Sequence, residues 1–250
     1  MSDLVPASSA PIAERVAMAD DAPGLEELFL FAREAELRVQ ALRMVIEEHT
    51  MTARGEEVVT HEVLLRHPGQ ARVLTRRTDD PLSKEYDVWL TDGATAQHFK
   101  AAANTVTTRP LHPGVVGRQQ TGLPLFAQQL ETMTRLPAGT LADTFVHPHG
   151  LFRNVMVTGP LAITGTRLVH GREAFIVRVD HPRSAKVLVD RPDRSVEVAI
   201  DRATGFLTAL SETVGDAVTH HAEVTSLEVD PTLFDEAFSL NLPDTVRTLY

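Results

Sequence analysis

RHPGQARVLTRRTDDPLSKEYDVWLTDGATAQHFK, Arg66–Lys100, reads as strands and turns with no room for a helix. Pro68-Gly69 makes a tight turn into the strand Gln70–Thr78, because proline presets φ and glycine tolerates the left-handed backbone that follows. Asp79-Asp80-Pro81 makes a looser turn into Tyr86–Thr91. Asp92-Gly93 is the strongest hairpin signal in the chain and leads into Thr95–Lys100. Trp89, the single tryptophan, sits just before that turn.

The same grammar extends in both directions. Arg43–Thr52 and Val58–Arg66 precede the quoted stretch, and Asn104–Arg109 follows it. The second half resumes with Val155–Thr158, Thr164–Val169, Glu173–Asp180, Ser195–Ile200, Phe206–Val214 and Val218–Val229. Alternation of period two is clean where Phe175, Val177 and Val179 oppose Arg178 and Asp180. It is equally clean where Val196, Val198 and Ile200 oppose Ser195 and Glu197. In Val58–Arg66 it is imperfect, because Val58 and Leu64 fall on the polar side. Short strands at this spacing predict a large antiparallel meander.

Helical spacing occurs twice. Leu25, Leu28, Phe29, Ala32, Ala35 and Val39 form one apolar stripe, predicting a helix over 25–41 with Glu26 and Glu27 in its first turn. Pro124 starts a second, 123–136, with Phe126, Leu130 and Met133 along one side. Residues 109–121 read as a Pro/Gly-rich loop and Leu141–Gly150 as a short link. Asp201–Gly205 reads as a turn, and Thr232–Phe238 as short helical or irregular chain. Residues 1–23 read as a mobile arm and 24–250 as a single domain.

Composition narrows the function classes. A formal net charge of −10 disfavours a nucleic-acid binder, which needs a basic footprint. The chain has no cysteine, so disulfides, thiolate metal sites and thiol catalysis are absent. No apolar stretch is long enough to span a bilayer. The N-terminus lacks the basic start and continuous apolar segment of a secretory signal. The expected location is extracytoplasmic, in the periplasm or cell envelope, if an export signal or anchor once preceded the chain, and cytoplasmic otherwise.

The ordered motifs resemble those of the bacterial lipoprotein-carrier (LolA/LolB-like) superfamily, with its RseB-type and mycobacterial lipid-binding lipoprotein relatives. The matching elements begin with an N-terminal amphipathic helix and the Arg54-Gly55-Glu56 turn. RHPGQARVLTRR (66–77) and VWLTDGATAQHF (88–99) follow. HGREAFIVRV (170–179), VEVAIDRATGFLTALSE (196–212) and LEVDPTLFDEAFSLNLP (227–243) complete the series, which spans about residues 25–243. The resemblance implies a mainly β (α+β) fold: a large bent antiparallel sheet, or half-barrel, covered by two or more helices. It implies noncatalytic binding of a lipid, a lipoprotein acyl chain or another apolar ligand between sheet and helices, with no cofactor. A protein-interaction or sensor domain of an envelope-stress system is the alternative. The expected partners are a lipid or acylated protein, and a membrane-anchored protein in the alternative.

The expected cavity walls are Leu28, Phe29, Val63, Leu65, Trp89, Phe99, Phe126, Leu130, Met133, Phe175 and Val177. The competing expectation for any one of them is ordinary core. Arg66, Arg72, Arg76 and Arg77 are expected on a solvated outer face with acidic partners, or at the cavity mouth. Histidines supply the metal alternative. His147 and His149 can point to one side of an extended segment, with His112 or the His220-His221 pair completing a site; loop histidines without a metal are the default. His61-Glu62 begins a metalloprotease-like string whose second histidine is missing.

Overall fold

A computed structural model describes residues 17–18, 23–77, 83–111, 132–183, 192–240, 242 and 245–249. Among them the chain runs α1 (Leu25–Arg33), a 3-10 turn η1 (Ala35–Arg38), β1 (Ala41–Thr52), β2 (Gly55–Arg66), β3 (Gln70–Arg76), β4 (Tyr86–Asp92), β5 (Thr95–Lys100) and β6 (Thr105–Pro110). It continues through α2 (Leu141–Val146), α3 (His149–Asn154), a 3-10 turn η2 (Met156–Thr158), β7 (Leu161–Val169), β8 (Arg172–Asp180), β9 (Arg194–Asp201), β10 (Leu207–Val214) and β11 (Ala217–Val229). A last 3-10 turn η3 (Asp235–Phe238) and β12 (Arg247–Leu249) complete it. The strands form one open sheet in the order β12-β6-β5-β4-β3-β2-β1-β11-β10-β9-β8-β7. Every pair is antiparallel except β12 with β6.

The sheet is bent, and α2 shows why it must be. Leu141 shares a cavity with Trp89 of β4, while the same helix touches β10. Those strands lie five places apart in the order, which is about 24 Å in a flat sheet. A helix of six residues is only ~9 Å long. The sheet therefore curls around the helices, giving the expected half-barrel. Its inner face carries Leu42, Met44, Val63, Leu65, Val177 and Val198, all fully buried against α1, α2 and α3. Phe29 of α1 stacks on Phe152 of α3 at 4.3 Å between centroids, joining the two helical pieces.

The predicted helix over 25–41 ends early. α1 stops at Arg33, η1 follows, and β1 begins at Ala41. One distant partner and one local bond outweigh the periodicity. Asp230 accepts hydrogen bonds from the backbone amides of Gln40 and Ala41 at 2.7 and 3.0 Å, pinning the chain as strand. The Arg38 guanidinium donates to the Phe31 carbonyl at 2.6 Å, satisfying one of the carbonyls a helix end leaves bare.

Two expectations are corrected between 132 and 158. The strand expected at Val155–Thr158 is the end of α3 followed by η2, with Met156 fully buried. The link expected at Leu141–Gly150 contains α2 and the start of α3. Thr140 accepts from the Asp143 amide as an N-cap, so Thr-x-x-Asp is the signal that marks this helix. Of the helix expected over 123–136, residues 123–131 lie outside the described residues, and 132–136 are not helical. The Thr134 hydroxyl there accepts from the Gly69 amide and meets His67, which ties this segment to the β2–β3 turn. Of the expected arm, residues 17, 18 and 23 are described. Met18 donates its amide to the Arg202 carbonyl and packs on the core.

The outer face of β2 to β6 is covered by the chain's own C-terminal segment. Phe238 packs on Leu64 and Leu90, and Leu240, Leu242 and Val246 on Leu74, Val88, Phe99 and Val106. Arg66 fastens this strap through the Leu233 carbonyl, Asp235 and the face of the Phe238 ring.

Candidate functional site: a groove on the inner face

Strands β2 to β5 place one row of inner-face side chains side by side. Register sets His61 opposite Thr75, Thr75 opposite Asp87, Val73 opposite Trp89, and Trp89 opposite His98. These six residues, with Arg77, Pro137, Thr140 and Leu141, line a cavity of about 340 Å³. Val73, Trp89, Pro137 and Leu141 make its apolar part, and the others make a polar margin. The volume lies at the lower end of the ~300–1,000 Å³ typical of small-molecule sites.

The polar margin is organised by contacts to two carboxylates, Glu48 and Asp87. Glu48 of β1 receives Nε2 of His61 and Nε2 of His220, each at 2.9 Å, one on each carboxylate oxygen. The bonds from His220 and then His61 outweigh burial and hold the Glu48 carboxyl down at about 2. His61 also meets the Thr75 hydroxyl at 3.1 Å, so its ring is held on both sides. Arg77 pairs with Asp87 at 3.5 Å. Burial pushes the His98 imidazole below its ordinary value, with Asp87 pulling the other way and Lys100 reinforcing it.

The expected wall residues divide into five groups. Trp89 lines the groove. Leu28, Phe29, Val63, Leu65, Phe175 and Val177 lie on the inner face and pack together as the buried core above it. Phe99 is on the outer face beneath the C-terminal strap, because it pairs with Val88 while Trp89 pairs with His98; its expected orientation toward the helices is thus corrected. Met133 is half-buried in a bend, and Phe126 and Leu130 lie outside the described residues. Sequence reasoning missed Val73, Thr75, Asp87, His98, Pro137, Thr140 and Leu141. Extending the Asp92-Gly93 hairpin by strict alternation would have placed His98 beside Trp89. No local signal points to 137–141, which arrives from the other side of the bend.

The arginines separate by face. Arg66 and Arg72 lie with Leu64 and Leu74 on the outer side, whereas Arg77 reaches the groove. The histidines do not converge. His147 is buried between Glu36 and Asp143. His220 joins Glu48 on the inner face, and His221 joins Glu223 on the other. His112 lies outside the described residues. Among the described residues, no group of three or more His, Cys, Asp or Glu is placed to hold a metal ion, and no helix is long and apolar enough to cross a membrane.

No family model and no curated protein matches the sequence. Solved structures do. An uncharacterized conserved protein from Thermus thermophilus is 11% identical, with 88% of this chain and 96% of that one covered and a TM-score of 0.50. A chain in the complex of Pseudomonas aeruginosa MucA/MucB is 14% identical, with 90% of this chain and 63% of that one covered and a TM-score of 0.50. The present chain thus spans less than two thirds of the latter's length. Mycobacterium tuberculosis lipoprotein LppX is a looser likeness, 12% identical over 85% of this chain and 99% of its own, with a TM-score of 0.43. At identities this low, the two likenesses at a TM-score of 0.50 show a shared fold and nothing about ligands. The large bent antiparallel sheet expected from the sequence motifs is the fold of this chain.

Proposed function

On a bent sheet of the lipoprotein-carrier type, we propose noncatalytic binding of an amphipathic ligand, a lipid or the acyl chain of a lipoprotein, in the groove between Trp89 and Leu141. The carrying observation is the groove itself: an apolar strip of Val73, Trp89, Pro137 and Leu141 bounded by Thr75, Arg77, Asp87, His98 and Thr140. A buried methylene gains ~0.8 kcal/mol. Six to eight of them would therefore gain about 5–6 kcal/mol before the costs of ordering. That is a weak, exchangeable hold, which suits a carrier. In this reading Arg77, Asp87 and Thr140 position a polar end, while His98 stands beside Trp89 along the apolar segment and His61 is held by Glu48 and Thr75. Residues 24–250 act as one binding unit in this reading, and the working location is the cell envelope.

Fluorescent fatty-acid titration tests the reading, with mass spectrometry of lipids extracted from the purified protein. Saturable binding that weakens at least tenfold in Trp89→Ala is expected. No saturable binding by the folded protein would overturn the proposal.

A second reading, a sensor domain that takes a protein partner, draws on β7. This strand ends the sheet order, and residues 164–168 are exposed. Such an edge accepts an added extended peptide. The MucA/MucB complex places this fold beside a protein partner. A membrane-protein pulldown that is lost when Thr166→Pro blocks the edge would favour it.

A further inference from the structure

The wall that Trp89 and His98 form together constrains both what the groove holds and when. The two residues are register partners across β4 and β5, and both face the cavity. The groups around His98 can be named element by element. Asp87 comes from β4, and Lys100 from its own strand. Arg77 beyond β3 is spent on Asp87 at 3.5 Å. His61 of β2 is spent on Glu48. Opposite His98 on β6 is Thr107, and the 137–141 segment contributes Pro137, Thr140 and Leu141, none of them charged. Among the described residues, Asp87 is the carboxylate that bears on His98 and it already has a cation, while Lys100 adds a like charge and Arg109 follows on the same face of β6.

We propose that this wall accepts an uncharged, apolar ligand segment only against a neutral His98, so that filling the groove expels the His98 proton and acidification empties it. The inference rests on the binding reading above and adds the chemistry and the control of the same site. An imidazolium covered by an apolar segment loses its water and gains no new partner, and burying such a charge is costly. Burial already disfavours the charged ring in the empty groove, and a ligand laid over Trp89 and His98 deepens that burial. Linkage then sets the sign. A ligand that lowers a group's pKa binds the neutral form better, so its affinity is level above the pKa of the empty site. Below that pKa it falls about tenfold per pH unit, until the pKa of the filled site is reached.

The experiment titrates N-phenyl-1-naphthylamine, an uncharged fluorescent amphiphile, into the full chain at pH 7.5, 6.0 and 5.0, with circular dichroism confirming the fold at each pH. Calorimetry in buffers of different ionisation heat counts the protons released. The expected result is an affinity about twofold or more weaker at pH 5.0 than at pH 7.5, proton release that rises toward the acid end, and a flat profile in His98→Gln. Equal affinity at pH 5.0 and 7.5, or a pH dependence that survives in His98→Gln, overturns this inference and leaves the binding reading standing. No binding at any pH by the folded protein overturns the binding reading and the inference with it. Should His98→Gln fail to fold, the proton count on the unaltered protein decides: binding at pH 5.0 without proton release overturns the inference.

Discussion

His147 and Glu36 are 111 residues apart in sequence, yet Nε2 of the one lies 3.0 Å from a carboxylate oxygen of the other. Both side chains are 2% exposed. Asp143 meets the other ring nitrogen at 2.9 Å. Burial alone would push the imidazolium down, but the hydrogen bonds to Asp143 and Glu36 prevail and hold it up at about 9. This buried ion pair ties α2 to η1 and so fixes the helical cover over the sheet.

Glu36→Ala leaves that imidazolium with one partner in a dry interior. The expected loss is ~3–5 kcal/mol, because a buried charge stripped of a partner retains its desolvation cost. Urea denaturation at pH 6 measures it. The folded pKa of about 9 lies above the ordinary 6.5, so the stabilisation is whole below 6.5 and lost as the pH rises through 9. The unaltered protein should therefore weaken between those values, and Glu36→Ala should show a shallower decline.

Glu48 has the opposite dependence. Its pKa is depressed from 4.5 to about 2, so its contribution is present above 4.5 and lost as the pH falls through 2. Glu48→Gln is expected to cost about 1–3 kcal/mol at neutral pH, since it removes the charge from both imidazole contacts. It should also raise the midpoint of acid unfolding followed by tryptophan fluorescence.

Phe152→Ala removes one ring of the stack that joins α3 to α1. Both rings are fully buried, and the expected cost is ~3–5 kcal/mol. Phe152→Leu, which keeps most of the volume, should cost less than half as much in the same denaturant titration.

Gly205→Ala tests the turn at the end of β9. Gly205 has φ +83°, and a methyl group there would lie 2.7 Å from the Phe31 carbonyl oxygen. The left-handed backbone alone costs ~1–2 kcal/mol in a non-glycine residue. The clash adds to that by pushing on the end of α1, so a loss above about 2 kcal/mol is expected. Gly171→Ala, also at positive φ but with nothing near the new methyl, should show the backbone cost alone.

Legibility differed sharply between elements. The strands from Gln70 to Lys100 and from Glu173 to Val229 could be read within a few residues, because alternation and turn chemistry are local and the fold obeys them. Asp201 shows the same locality: its carboxylate accepts from the Thr204 amide and hydroxyl at 2.7 Å, as a turn former does. Val155–Thr158 misled, because four β-branched or flexible residues suit either a strand or a tight helical turn. The overlong first helix misled in part because Asp230, which holds Gln40 and Ala41 at the start of β1, is about 190 residues away in the chain.

What the residues determine by themselves is the alternation that makes strands, the turns between them, the amphipathic stripe of α1 and the acidic balance, since each depends on neighbours a few positions apart. The groove was decided only in three dimensions. Trp89 faces it and Phe99 does not because of pairing register. Leu141 closes it because the sheet bends far enough for one short helix to reach both β10 and the β4 wall. Register and curvature come from the whole sheet settling its pairings and its buried face together, and no local stretch of sequence encodes that outcome.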